Sequence, residues 1–154
     1  MSKAIGSTLN FLAKAVKRNE GASAVEFALV LPILLTILTA IMAFGITFNN
    51  YEQLTDGVRE AERVFAISRS STTPYTLATT ALQTGTPGLT FKNIKPTFTV
   101  NGAPCASDAG CVTALSGAQG QPSSLTATYA CTLAIVGVSL PACNLSSSTT
   151  ELVE

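Results

Sequence analysis

From Phe27 to Phe48 the chain runs for 22 residues without a charged side chain. As a helix this run would rise about 33 Å, which matches the ~30 Å hydrocarbon core of a bilayer. Residues 22–48 are therefore a candidate membrane span. One carboxylate, Glu26, sits at the head of the run. An acid at a bilayer centre costs ~2.5–3.5 kcal/mol on insertion scales, and less near the interface. Its position asks for a compensating partner.

The flanks set an orientation. Residues 1–20 carry Lys3, Lys14, Lys17 and Arg18 against Glu20 alone. Ile5, Leu9, Leu12 and Val16 recur at helical spacing, so the segment reads either as a short basic amphipathic helix on an anionic inner leaflet or as a leader that only sets orientation. Basic residues on this side predict a cytoplasmic N-terminus and a C-terminal part outside the cytoplasm. Inside the apolar run, Pro32 removes one backbone donor and predicts a kink or loosened turn. Gly45, near its far end, permits close helix approach.

Helical periodicity continues past the span. Tyr51, Leu54, Val58, Ala61 and Phe65 recur at spacings of three and four, with Glu52, Asp56, Arg59, Glu60, Glu62 and Arg63 between them. This is an amphipathic stem in water whose apolar stripe needs a partner: its own head, neighbouring subunits, or one followed by the other. Like charges at i,i+4 (Glu52–Asp56, Asp56–Glu60, Arg59–Arg63) give it no local electrostatic support. The helix is expected to end near Ser68 to Thr73. Thr73-Pro74 then supplies the N-cap and first turn of a second helix over Tyr75–Gln83. Gly85, Pro87 and Gly88 break the chain.

Phe91 to Val100 reads as a strand with Phe91, Ile94, Phe98 and Val100 as core residues, and Pro96 marks an edge or bulge. Residues 101–123, rich in Gly, Ala, Ser and Pro, read as a loop. Leu125 to Val138 is the strongest strand, ended by Pro141. Asn144 to Val153 is a closing strand with Leu145 and Leu152 as packing candidates.

All four cysteines, Cys105, Cys111, Cys131 and Cys143, lie in the last third of the chain. About 80 residues of head make a marginal core without cross-links. Four cysteines there predict a disulfide framework in an oxidising compartment. Proximity favours Cys105–Cys111, which leaves Cys131–Cys143, among three connectivities. The spacings lack paired CxxC knuckles, which disfavours zinc. The chain has no histidine, the commonest general base and metal ligand, and the head offers no nucleophile–base pair. No catalytic activity, metal or cofactor is expected. A net charge of zero, with no basic stripe in the head, gives no case for nucleic acid.

The segment Gly21-Ala22-Ser23-Ala24-Val25-Glu26-Phe27-Ala28-Leu29-Val30-Leu31-Pro32, between a basic leader and an apolar span, closely resembles the start of TadE-like pseudopilins. These are minor pilins of the tight-adherence (Flp-type) branch of the type IV pilin superfamily. The resemblance covers about residues 17–65. It implies that Gly21 precedes a prepilin-peptidase cut and that Ala22 is the first mature residue. Glu26 then becomes the fifth mature residue, the acid typical of pilins. Short major pilins of this branch carry a tyrosine after that glutamate; here it is Phe27, which keeps the ring and lacks the hydroxyl. That departure and the large head point away from a major pilin. The implied partners are prepilin peptidase, other pilin and minor pilin subunits, the inner-membrane assembly platform and the lipid bilayer.

Chemistry gives these positions independent reasons. Glycine lets an extended backbone enter a protease cleft. A cut after it creates an α-amine about 6 Å along the helix from Glu26. A neighbouring subunit's amine can then neutralise the acid and set axial register. The competing readings are an exported soluble protein cut at Ala43-Phe44-Gly45, and a single-pass anchored binding domain unrelated to pili. The expected fold is α+β. Residues 1–21 form a removed leader and 22–70 a membrane-spanning and stem helix. Residues 71–154 form a small disulfide-stapled exported head with a short helix and an antiparallel sheet.

Overall fold

Helix α1 (Asn19–Ile67) carries the apolar run and the amphipathic stem as one unbroken element of 49 residues. The structure, a computed structural model, describes residues 19–131, 134–135, 138–139 and 143–154. The leader over 1–18 and the break at Pro141 lie outside the described residues. Pro32 sits inside α1 without ending it; what it removes is the donor that the Ala28 carbonyl would otherwise receive. The threonines of the apolar run satisfy themselves locally. Thr36 donates to the Pro32 carbonyl at 2.8 Å, Thr39 to Leu35 at 3.0 Å and Thr47 to Ala43 at 2.9 Å. In lipid, where no water competes, such back-bonding is what a hydroxyl requires.

A 3-10 turn over Ser68–Ser70 closes α1 within the predicted Ser/Thr cluster. Helix α2 (Pro74–Gly85) starts with Pro74 in its first turn, where a missing N–H costs nothing. Thr73 stands at the N-cap, but its hydroxyl makes no capping bond. A 3-10 turn (Phe91–Asn93) then leads into β1 (Ile94–Val100), so the first three residues of the expected strand are helical.

The predicted loop over 101–123 is corrected. It holds β2 (Ala103–Cys105) and helix α3 (Asp108–Ser116). Asn101 and Gly102 both have positive φ, 50° and 79°, and Val100 faces Ala103 across them. That is the two-residue hairpin for which Asn-Gly is best suited. Ser107 caps α3 by accepting from the Gly110 N–H at 3.3 Å.

Strand β3 (Pro122–Cys131) ends before the predicted Val138. A separate two-residue pair follows, β4 (Ala134–Ile135) with β5 (Val138–Ser139), and then β6 (Cys143–Leu152). The four-stranded sheet is antiparallel in the order β2-β1-β3-β6. β1 is thus interior, yet β2 pairs only with Phe98–Val100. Pro96 lies beyond that reach and faces Ala127 of β3 alone, so locally it is an edge residue.

The chain divides into two units, residues 1–42 and 43–154. In the second, the stem stripe finds its partner in the head. Leu54, Val58, Ala61 and Phe65 are fully buried, while Tyr51 remains 42% exposed. They join Ala78 and Leu82 of α2, Ile94, Phe98 and Val100 of β1, Leu115 of α3, and Leu125 and Ala127 of β3 in one core. Burying each large aliphatic or aromatic side chain contributes roughly 1.5–3 kcal/mol. Phe98 is the hub: Phe65 lies 4.9 Å from it, centroid to centroid, and Tyr75 meets it edge-on at 5.3 Å. Phe91 is only partly buried.

Disulfides link Cys105 to Cys111 and Cys131 to Cys143. The first ties β2 to α3; the second joins directly opposed residues of β3 and β6. Leu145 packs partly against the core, but Leu152 is exposed and Val153 takes the buried place. Strand alternation explains the exchange, since 153 shares its parity with Leu145 and the buried Ser147.

Candidate functional site

Gly21, Ala22, Glu26, Phe27 and Pro32 all lie on α1, in a stretch that begins two residues after its first residue. Glu26 follows Ala22 by four residues, so the two share one face, a turn apart.

Glu26 is exposed, and among the described residues it has no hydrogen-bond or ion-pair partner. Phe27 beside it is 64% exposed. Along the apolar run behind them Leu29, Val30, Ile33, Leu34, Leu35, Ile37, Leu38, Ile41, Met42, Phe44, Ile46 and Phe48 are exposed. A Cβ at Gly45 would meet no atom within 4 Å. The stem stripe, by contrast, is covered by the chain's own head. An exposed apolar helix of this length is compatible with a single-pass membrane anchor.

Within the head, all four cysteines are bonded, and no group of three or more potential metal-ligating side chains occurs among the described residues. Asp108, the first residue of α3, accepts from the Thr76 N–H at 2.9 Å and the Thr76 hydroxyl at 2.6 Å. It caps α2 in place of Thr73. The Thr76 side-chain and backbone bonds hold its carboxyl below the usual carboxylate range.

Two side-chain roles differ from those read in the sequence. Arg59 lies 3.5 Å from Asp56, so one i,i+3 pair does support the stem; being exposed, it contributes little. Glu62, placed among the solvated charges, is instead fully buried. It follows Val58 by four residues and precedes Ala66 by four, which puts it on the face that meets the sheet. That spacing was the available signal. Ser123 of β3 donates to its Oε1, and burial pushes its carboxyl up to about 7.

An exposed apolar helix, an acid at its head and a disulfide-bonded α+β head are consistent with a single-pass, pilin-like protein. Residues 21–63 match the family model described as TadE-like protein. Over that segment the chain is similar to the TadE-like family, consistent with a pilin-related protein of the Tad system. The match starts at Gly21 and stops short of the 3-10 turn that closes α1, so the head lies outside it. No curated protein and no solved structure matches the chain.

Proposed function

We propose that this chain is a minor pilin, or pseudopilin, that takes part in assembling or initiating a tight-adherence type pilus. In this reading it enters the bacterial inner membrane as a single span with its N-terminus in the cytoplasm. Prepilin peptidase cuts between Gly21 and Ala22. The helix then joins other pilin and minor pilin subunits on the inner-membrane assembly platform, while the head stays outside. The supporting observation is that the TadE-like match begins at Gly21 and holds Glu26 at the head of an uncovered apolar helix.

The chemistry follows from the cut. Before it, Glu26 is an acid at the membrane edge without a partner. Cleavage frees an α-ammonium on each subunit, and the amine of one subunit can neutralise the Glu26 of another. The pairing offsets the cost of holding the acid in apolar surroundings and fixes the axial stagger of the two helices. The helix N-terminus, now close to Glu26, also favours the anion. Pro32 loosens one turn further along, where neighbouring helices can accommodate it. Since the head covers Leu54 to Phe65, helix–helix contact falls to the apolar run.

The test is Glu26→Ala in a strain that builds the pilus. The variant should remain in the membrane fraction and impair pilus assembly, with Glu26→Gln behaving alike because it too lacks the charge. Normal pili from either variant would remove the role given to Glu26.

A further inference from the structure

Glu62 is the only charged residue buried among the described residues. Its Oε1 meets Ser123 Oγ, and its Oε2 has no hydrogen-bond partner. Ser123 Oγ also lies 3.4 Å from the Glu151 carbonyl oxygen of β6. The serine has one proton and two acceptors within reach. If Glu62 is ionised, the serine proton goes to the carboxylate. The Glu151 carbonyl then loses that bond, and a full charge stays buried with one oxygen unpaired. If Glu62 is protonated, the relay closes: Glu62 donates to Ser123 Oγ, and Ser123 donates to the Glu151 carbonyl.

The surrounding charges favour the protonated form. β6 brings Glu151, whose negative charge opposes ionisation, and β3 brings only the Ser123 hydroxyl. On α1, Arg59 and Arg63 are exposed, and among the described residues no salt bridge reaches Glu62. Glu154, beyond β6, borders an adjoining surface depression with Arg63 and Glu151. The seam around the acid is closed by backbone bonds. Val153 donates to the Gln121 carbonyl at 3.0 Å, Gly120 to Val153 at 2.8 Å and Glu154 to Ala66 of α1 at 3.2 Å.

We propose that Glu62 is a proton-controlled latch between stem and head: protonated, it holds α1 against β3 and the end of β6, and ionised, it loosens that seam. The latch is independent of the pilus reading. Burial, and secondarily the Glu151 charge, raise the acid from 4.5 to about 7 against the lowering effect of the Ser123 bond. The sign follows from linkage. An opened seam returns Glu62 to water and its ordinary value, so between the two values only the closed state holds the proton. Closure is strongest below 4.5, weakens as pH rises, and reaches its floor once pH passes about 7. The opening equilibrium rises up to about tenfold per pH unit across this window, or up to roughly 300-fold in all.

Amide hydrogen exchange on the full chain in detergent micelles reads this directly at Val153 and Glu154. After correction for intrinsic exchange rates, protection in the wild type should fall across the window from 4.5 to about 7 and then level off. Glu62→Gln, which keeps a neutral hydrogen-bonding group, should show no such fall. A pH-independent wild type, or the same fall in Glu62→Gln, would overturn the latch. A carboxyl-carbon NMR titration of the wild type needs no variant. A Glu62 midpoint near 7 supports the latch, and one near the ordinary glutamate value of about 4.3 overturns it.

Discussion

Replacing Gly57 by alanine probes a close approach of the stem to the head. A Cβ at Gly57 would lie 2.5 Å from Thr86 Cγ2, 3.3 Å from the Gly85 carbonyl carbon and 3.4 Å from its oxygen. Thr86 is 2% exposed, and its hydroxyl donates to the Leu82 carbonyl at 2.8 Å. Rotating its methyl away therefore breaks a buried hydrogen bond. Overpacking costs about 1–3 kcal/mol, and the broken bond adds about 1 kcal/mol. Against this, alanine gains roughly 1 kcal/mol over glycine in a helix interior. The net expectation is a loss of about 1–3 kcal/mol, with the melting temperature falling by about 4 °C per kcal/mol in a domain of this size. The reciprocal change is worse. A Cβ at Gly85 would stand 2.8 Å from the Gly57 Cα, and helix backbone cannot turn aside. Thr86→Ser isolates the cause, because it deletes the methyl and keeps the hydroxyl. In that background Gly57→Ala should cost less by about 1 kcal/mol or more, a coupling of the size contacting residues show. Thermal unfolding of the four chains, followed by circular dichroism in detergent micelles, completes the cycle. If Gly57→Ala is as stable as wild type with Thr86 intact, or if no coupling appears, the stem does not pack on α2 as described.

Two further outcomes follow from the head. Replacing both Cys131 and Cys143 by serine opens the link between β3 and β6, and unfolding should show a loss of about 2–3 kcal/mol, with Cys105–Cys111 still formed on non-reducing peptide mapping. Asp108→Ala should lower the melting temperature by removing the cap of α2. Because the Thr76 bonds hold the Asp108 carboxyl low, its contribution is present above the ordinary aspartate value of about 3.9 and lost as pH falls through the folded value. The acid side of the stability–pH curve should therefore be shallower in Asp108→Ala than in wild type.

Sequence pattern reaches far where period and burial agree. The stem stripe from Leu54 to Phe65 is legible because one helix face meets one core, and Pro74 marks the start of α2 because its ring fits the first turn. The TadE-like likeness over residues 21–63 is legible because a glycine, an acid and an uncharged run stand in fixed order. The failures have local causes. Asn101-Gly102 was a hairpin signal and Ser107-Asp108 a helix start, but the surrounding small residues look like loop until those two pairs are weighed. Leu152 ends β6 and Val153 follows it with the opposite exposure, so a one-residue choice of phase decides which is core. Glu62 is the hardest. Its spacing puts it on the buried face, yet its charge argues for solvent. The contest is settled by Ser123 and by how far the sheet wraps around α1, both of which depend on residues some sixty positions away.

The account rests most heavily on the bond between Gly21 and Ala22. Mass spectrometry of the protein purified from a host that carries a prepilin peptidase measures it directly. The account predicts a mature chain beginning at Ala22, and the uncut chain in the same host once the peptidase is deleted. A chain that keeps its first 21 residues with the peptidase present would contradict it. So would one that begins at Ile46 after an ordinary signal-peptide cut.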